Sequence, residues 1–325
     1  MQIPVLSKRA RAVRKTHYCR KAVSLADPGY KKAVIDFFTS SISQDLNPKG
    51  DISTIALGSR ASKKVTALII AKCAGVAAGF EEAAFIFKRR YPFFRHKISF
   101  KPLIQDGDKI KQGQGLAVLA GAANDLLAAE RTLLNFLQRM GGIATLTSEY
   151  VKAVPLNVLV APTRKTLCGL LDKKSVTVGG GGTHRINLSD AILIKDNHLK
   201  LLHGNLNALF DLLSEAKLKG RFIEIEVTSV NQAIEAINFH SLFSRKRFCR
   251  VPFFLMFDNF KPAEIRKVIH AAKKTGTCEN IFFEASGGIN GKNILSYAKS
   301  GVDVISSGAL THSAPALDIS LEIDI

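Results

Sequence analysis

Several residue patterns that mark whole protein classes are missing from this chain. Of 325 residues only five are cysteine (Cys19, Cys73, Cys168, Cys249 and Cys278), an odd number with no C-x-x-C spacing. That argues against a disulfide framework and a cysteine-ligated zinc site, and for a reducing compartment, here the cytoplasm. The longest apolar run, Val65 to Phe80, carries Lys72 and is too short to span a bilayer, so no membrane partner is expected. Acidic residues do not occur before Asp27, and no apolar stretch of a secretory signal is seen there. Residues 1–25 therefore read as an irregular basic helix or a solvated, partner-facing extension rather than a transit peptide.

Basic charge is abundant. The net charge is +19, and much of it is local. Lys8, Arg9, Arg11, Arg14, Lys15, Arg20 and Lys21 form one run, and Arg245, Lys246, Arg247 and Arg250 another. Neither run is interleaved with aromatics and no nucleic-acid motif is legible, so the excess reads as surface charge and nucleic acid is not an expected partner. Hydrophobic residues make up 46%, enough for a sizeable core, and the length suits two domains or one large α/β unit.

Periodicity divides the chain into two textures. Apolar positions at helical spacing predict a helix over about Tyr30 to Ser43. Short strands follow at Val65–Ile70, Gly75–Ala78, Lys97–Phe100 and Gly115–Ala120, with a turn at 105–110 entering another. This half is expected to pair a helix with an antiparallel sheet. A long amphipathic helix covers Ala123 to Tyr150, with Gly141-Gly142 as a candidate break. From residue 156 strands alternate with helices: Val158–Arg164, Ala191–Lys195, Phe222–Val227, Phe253–Asp258, Ile281–Ala285 and Val302–Ser306 are the strands. Helical periodicity returns at Leu206–Lys217, Asn231–Asn238, Pro262–Lys274 and Gly291–Lys299. Apolar strands alternating with helices predict parallel βα units.

The strand ends carry polar groups: Arg164-Lys165, Lys195, Glu226, Asp258, Ser286-Gly287-Gly288 and Ser307-Gly308. One such group per βα unit, at the carboxyl end of the strand, is how a (β/α) barrel assembles a site. The last two ends are glycine turns, where backbone N–H groups and a helix N-terminus bind phosphate. Glu226 and Asp258 suit ribose hydroxyls or Mg²⁺, a cation that takes hard oxygens. Lys165 and Lys195 suit a pyrophosphate, or alternatively Lys165–Glu226 and Lys195–Asp258 salt bridges. Arg164, His184 and Arg185, next to the run Gly179–Gly182, suit a small carboxylated substrate that arginine grips bidentately. Glu224 shares the face of Glu226 but lies deeper, as a buried ion-pair partner. His198 and His312, taken singly, read as structural. Together the groups suggest phosphoribosyl transfer.

Nine segments of the chain resemble one family. They are Glu130-Arg131-Thr132-Leu133-Leu134-Asn135-Phe136, Gly142-Ile143-Ala144-Thr145, Thr163-Arg164-Lys165-Thr166, the glycine run with His184-Arg185, Ile194-Lys195-Asp196-Asn197-His198, Glu224-Ile225-Glu226-Val227, Phe257-Asp258-Asn259-Phe260, Glu284-Ala285-Ser286-Gly287-Gly288-Ile289 and Gly308-Ala309-Leu310-Thr311-His312. The family they resemble is nicotinate-nucleotide pyrophosphorylase (carboxylating), also called quinolinate phosphoribosyltransferase, and the likeness runs from about Asp36 to the C-terminus. It implies an N-terminal α/β sandwich domain plus an open (β/α) barrel of the type II phosphoribosyltransferase kind. The boundaries it implies are an extension over 1–25, the sandwich domain over 26–130, the barrel over 131–312 and a tail over 313–325 that returns to the first domain.

The resemblance also implies the reaction. Quinolinate and phosphoribosyl pyrophosphate give nicotinate mononucleotide, pyrophosphate and CO₂ with Mg²⁺, a step of de novo NAD biosynthesis. Arg131, Arg164, His184 and Arg185 would hold the quinolinate carboxylates. Lys165 and Lys195 would bind the phosphoribosyl donor, and with Glu226 and Asp258 would form the catalytic set. Glu226 and Asp258 would bind the ribose and the metal. Ser286, Gly287, Gly288, Gly308 and His312 would form the 5′-phosphate pocket. The family implies a homodimer or hexamer in which Arg131 reaches a neighbour's barrel. The chain departs from the family pattern in four places. Cys168-Gly169 stands where Pro-Gly is usual, and the loop after it is about two residues short. Gly182 replaces a residue that is often larger. A basic insertion occupies about Phe239–Pro252, and the N-terminal extension is atypical. Rival readings are a molybdate-transport-linked transferase of the same fold, a basic nucleic-acid-binding protein and an inactive scaffold.

Overall fold

A computed structural model describes residues 6–215, 220–243, 251–274, 276, 279 and 281–324. The basic run 245–250 and Cys249 and Cys278 lie outside the described residues. The chain forms two compact units. Among the described residues no helix is long and apolar enough to cross a membrane.

One unit comprises Arg20–Ser148, Thr166–Gly180 and Ser313–Ile325. Helix α2 (Pro28–Leu46) starts where Asp27 accepts the Tyr30 N–H and Pro28 enters the first turn, and it buries Tyr30, Val34, Phe38 and Ile42 as one stripe. Asp51 caps the short α3 (Ile52–Ala56) in the same manner. The sheet is antiparallel, in the order β12 (Ile319–Asp324), β1 (Lys64–Ala71), β5 (Gly115–Ala122), β3 (Ser99–Pro102). Ala67, Ile69 and Ala71 alternate inward along β1. A two-stranded pair joins β2 (Gly75–Val76) to β4 (Lys109–Ile110), and α4 (Phe80–Phe87) and α6 (Leu170–Val178) complete the unit.

Helix α5 runs unbroken from Ala123 to Ala153, so Gly141-Gly142 does not break it and the expected boundary at 130/131 falls inside it. The two glycines serve close approach instead. A Cβ on Gly142 would stand 2.0 Å from the Pro315 carbonyl oxygen, and one on Gly141 2.6 Å from Leu317 Cδ2.

The other unit comprises Met1–Cys19, Glu149–Lys165 and Gly181–His312. Its parallel sheet has the order β6 (Leu159–Pro162), β11 (Val304–Ser307), β10 (Ile281–Ser286), β9 (Phe253–Asp258), β8 (Ile223–Val227), β7 (Ile192–Ile194). Every residue of β6 and β8 is buried, as expected where both faces of a parallel sheet are covered. The helices are α7 (Asp196–Leu201), α8 (Leu206–Glu215), α9 (Val230–Phe243), α10 (Pro262–Lys274), α11 (Ile294–Ala298) and α12 (Ala309–His312). No pairing joins β6 to β7, so the barrel is open.

Residues 8–17 are not a solvated extension. They form α1 (Lys8–His17), which closes the barrel at the amino ends of its strands. Val13, fully buried, packs with Leu159, Ala191, Phe222, Phe254 and Val304. Arg9 places its Nε and Nη2 2.6 Å from the two oxygens of Asp303, which also accepts the Phe283 N–H at 2.8 Å. The arginines read as surface charge are partly consumed in this way.

Candidate active site

At the carboxyl ends of the barrel strands lies a cavity of about 670 Å³. Its walls include Thr163, Arg164 and Lys165 beyond β6, Lys195 beyond β7, Glu226 on β8, Asp258 on β9, Ser286 at the end of β10 with Gly287 and Gly288 beyond it, and Gly308 and His312 beyond β11. His184 and Arg185 line it as well. Strand register accounts for the convergence: Ser286 lies opposite Asp258, Ser307 opposite Pro162 and Glu226 opposite Met256. Of the catalytic and substrate-binding residues that the resemblance implies, Arg131 alone does not line it. Arg131 belongs to the other unit, on α5, with its side chain 59% exposed and 4.0 Å from Glu130.

One wall is cationic. Burial, and then the neighbouring Arg164 cation, lower the pKa of Arg185, so this pair is electrostatically short of an anion. Across the cavity Glu226 does not pair with Lys165, and Asp258 does not pair with Lys195. The ion pair formed is Lys195 Nζ to Glu226 Oε2, at 2.6 Å. Lys195 begins α7, where His198 Nδ1 accepts the Lys195 N–H at 2.9 Å, a structural use of His198. Thr311 Oγ1 donates to the Lys165 carbonyl at 2.9 Å and fixes the backbone that carries Lys165.

Beyond the neighbouring strands β10 and β11 the lining is backbone. Gly287 (φ 90°) and Gly288 (φ 61°) turn in the left-handed region, and a Cβ on Gly287 would meet Asn259 Oδ1 at 2.4 Å. A Cβ on Gly308 would lie 2.8 Å from His312 Nε2. These glycines leave room for a group that approaches the main chain. Asn259 was not singled out from sequence. It sits at φ 59°, donates its backbone N–H to the Ser286 carbonyl at 2.9 Å and its Nδ2 to Asp258 Oδ2 at 2.9 Å, holding the carboxylate in place. Its sequence signal is its position directly after a strand-end aspartate. Ser306 and Asn290 were likewise passed over; Ser306 Oγ is buried in the cavity wall without a hydrogen-bond partner.

His184 does not have a ring nitrogen to spare for a substrate carboxylate. Its Nδ1 accepts the Arg185 N–H at 2.7 Å, and its Nε2 stands 3.3 Å from Glu224 and 3.2 Å from Glu284. Burial works against charge on this ring, but Glu284 and Glu224 raise its pKa overall. Glu224 is fully buried beside it, the ion-pair partner expected from the strand alternation.

Comparison with known proteins agrees with this geometry. Residues 51–141 match the quinolinate phosphoribosyl transferase N-terminal domain and residues 143–322, more than half of the chain, its C-terminal domain. The chain belongs to the quinolinate phosphoribosyltransferase family. It is 36% identical to a probable nicotinate-nucleotide pyrophosphorylase [carboxylating] of Archaeoglobus fulgidus, over 85% of this chain and 99% of that one. It is also 36% identical to the chloroplastic nicotinate-nucleotide pyrophosphorylase [carboxylating] of Arabidopsis thaliana, over 90% and 82%. Among solved structures, NadC from Streptococcus pyogenes superposes with a TM-score of 0.75 at 32% identity, covering 89% of this chain and 95% of its own. The family fold is therefore the sheet domain and open α/β barrel described above.

Proposed function

We infer that the protein is a quinolinate phosphoribosyltransferase (decarboxylating), a pentosyltransferase of NAD biosynthesis that converts quinolinate and phosphoribosyl pyrophosphate to nicotinate mononucleotide, pyrophosphate and CO₂. The observation that carries this reading is one cavity that gathers an arginine pair, two carboxylates and two glycine turns at the ends of successive strands.

The residues divide the work. Arg164 and Arg185 grip the two pyridine carboxylates, and His184 holds Arg185 by its amide. The turns at Gly287 and Gly308, with Ser286 and His312, receive the 5′-phosphate. Lys165 and Lys195 face the pyrophosphate, and Glu226 and Asp258 face the ribose hydroxyls. The pyridine nitrogen forms a bond to the anomeric carbon as the bond to pyrophosphate breaks, and the leaving oxygen takes the electron pair. The carboxylate at ring position 2 then leaves as CO₂. Its bonding pair stays on that carbon, stabilised by the adjacent pyridinium, and is protonated from solvent. Catalysis by the chain is positioning and electrostatic stabilisation.

Glu226 and Asp258 fit Mg²⁺ in donor type: both are hard carboxylates lining the cavity, a small set that suits a cation arriving with its waters and substrate phosphates. Bound there, Mg²⁺ would neutralise charge on the leaving pyrophosphate. Arg131, remote in sequence from the strand ends and exposed, suits a role in a neighbouring subunit's site, and the assembly we infer is a homodimer or a hexamer built as a trimer of dimers. Free thiols at Cys19, Cys73 and Cys168 accord with the cytoplasm.

The test mixes purified protein with quinolinate, phosphoribosyl pyrophosphate and Mg²⁺ and follows nicotinate mononucleotide and CO₂. No product would sink the reading. Nicotinic acid serving equally well would contradict a two-carboxylate grip.

A further inference from the structure

Four titratable side chains meet in the middle of the barrel unit; of these only His184 lines the cavity and has a part in the chemistry above. His17 ends α1, His184 follows the glycine run, Glu224 lies on β8 and Glu284 on β10. All are buried, three of them completely. His17 Nε2 is 3.6 Å from Glu284 Oε2, and Glu284 Oε1 is 3.2 Å from His184 Nε2. Among the described residues the two Nε2 atoms and all four carboxylate oxygens make no hydrogen bond, and their nearest charged neighbours are one another. The walls are apolar: Phe222 stacks on the His17 ring at 4.5 Å, and Phe254 lies at the same distance. A carboxylate in such surroundings depends on its counter-groups, because an unpaired buried charge is costly.

Both rings are tied down at their outer nitrogens. Thr16 Oγ1, which donates to the Val13 carbonyl at 2.7 Å, lies 2.9 Å from His17 Nδ1. His184 Nδ1 accepts the Arg185 amide, so its ring proton is on Nε2. A chain of close contacts runs from α1 through His17, Glu284 and His184 to the backbone of Arg185.

The main chain follows the same route. Thr183 donates its N–H to the His17 carbonyl at 2.6 Å and its Oγ1 to the same oxygen at 2.9 Å, and Cys19 N–H donates to Thr183 Oγ1 at 3.0 Å. Arg221 donates to the carbonyls of both Thr16 and His184. Gly182 belongs to this contact: a Cβ there would stand 2.9 Å from the His17 carbonyl oxygen. Two departures from the family pattern, the basic N-terminal segment and the small residue at 182, are thus one feature. His184 itself holds φ 51°, a left-handed conformation that a non-glycine residue keeps only when its surroundings impose it.

We propose that His17 is a positioning residue: through Glu284 and His184 it sets the orientation of Arg185 and with it the affinity for the pyridine dicarboxylate. The proposal rests on the function inferred above for the substrate, but its structural half does not. Removing the His17 ring nitrogens leaves Glu284 Oε2 against phenylalanine rings. Glu284 then draws on His184 alone, and the acceptor offered to the Arg185 amide shifts.

The experiment compares the full-length wild type with His17→Phe, which keeps the ring stack, and His17→Gln, which restores a polar group. His17→Phe should raise KM for quinolinate about tenfold, the equivalent of ~1.4 kcal/mol, with KM for phosphoribosyl pyrophosphate unchanged. His17→Gln should recover part of the loss. Nitrogen NMR of the imidazoles should find His184 protonated on Nε2 in the wild type and altered in His17→Phe. Equal rises in both KM values, or an unchanged quinolinate KM in folded protein, would overturn the proposal. So would an unmoved His184 tautomer, which needs no substrate and is read even if the wild type fails to turn over quinolinate. A stoichiometric, chelator-removable metal held by these side chains would overturn it as well.

Discussion

Lys195 Nζ lies 2.6 Å from Glu226 Oε2, joining the ends of two neighbouring strands over the cavity. Without substrate each charge answers the other. A bound phosphoribosyl donor offers both better partners: pyrophosphate oxygens for the ammonium and hydroxyls for the carboxylate. Lys195→Ala should therefore cost turnover rather than folding. The expected loss in kcat/KM is about 10²–10³-fold, the range for removing one preorganised group that stabilises developing charge. Steady-state kinetics with a parallel melting curve checks it, and a melting temperature that falls steeply would reassign Lys195 to structure.

Arg131 gives a test of shared sites. If it completes a neighbour's cavity, Arg131→Ala and Lys165→Ala are each nearly inactive alone. Mixed and allowed to exchange subunits, they should recover about a quarter of wild-type activity, because half the dimers are mixed and half the sites in those are intact. Mixtures that stay inactive after proven exchange would put both residues in one subunit's site.

Glu82 should make stability fall as pH rises. Burial, then the Asp106 carboxylate, pushes its pKa up to about 7, with Lys174 opposing and Tyr30 donating a 2.8 Å hydrogen bond. The unfolded value is near glutamate's ordinary 4.5. The stabilising contribution of the folded-state proton is thus full below 4.5 and is lost as pH climbs through about 7. Glu82→Gln should flatten this slope and narrow the difference by on the order of 1–3 kcal/mol across the window. Urea unfolding of both proteins between pH 5 and 8 reads it; parallel curves would exclude Glu82 as the cause.

Gly142→Ala tests the close approach on α5. The added methyl has to displace the Pro315 carbonyl, 2.0 Å away, although alanine is the better helix former. Overpacking should win, with a loss of about 1–3 kcal/mol in denaturant unfolding. A stabilised variant would mean the C-terminal segment yields freely.

Much of the barrel was legible because its strands are locally distinctive. Phe253–Asp258 and Pro262–Lys274 are found at the residues expected, and the other strands within a few. Apolar runs ended by a single polar group announce both a buried parallel strand and the site at its end, which is why Glu226, Asp258 and Ser286 could be placed before any pairing was known. Weaker local signals were misread. The charges of α1 hide the thin apolar stripe of Ala10 and Val13, so the helix read as solvated. Gly141-Gly142 looked like a breaker because the chain that presses on it is more than 170 residues away.

Local chemistry alone settled the order of strands and helices, the phosphate-type turns and the set of charges at the strand ends. Hydrophobic periodicity and glycine's backbone freedom act over a few residues and need no distant partner. Only the assembled barrel decided that Lys195 rather than Lys165 pairs with Glu226, that Asn259 steadies Asp258, and that His17 meets Glu284 and His184 across most of the chain's length. Those contacts depend on which strands lie side by side and on what plugs the barrel's base, and no local period encodes either.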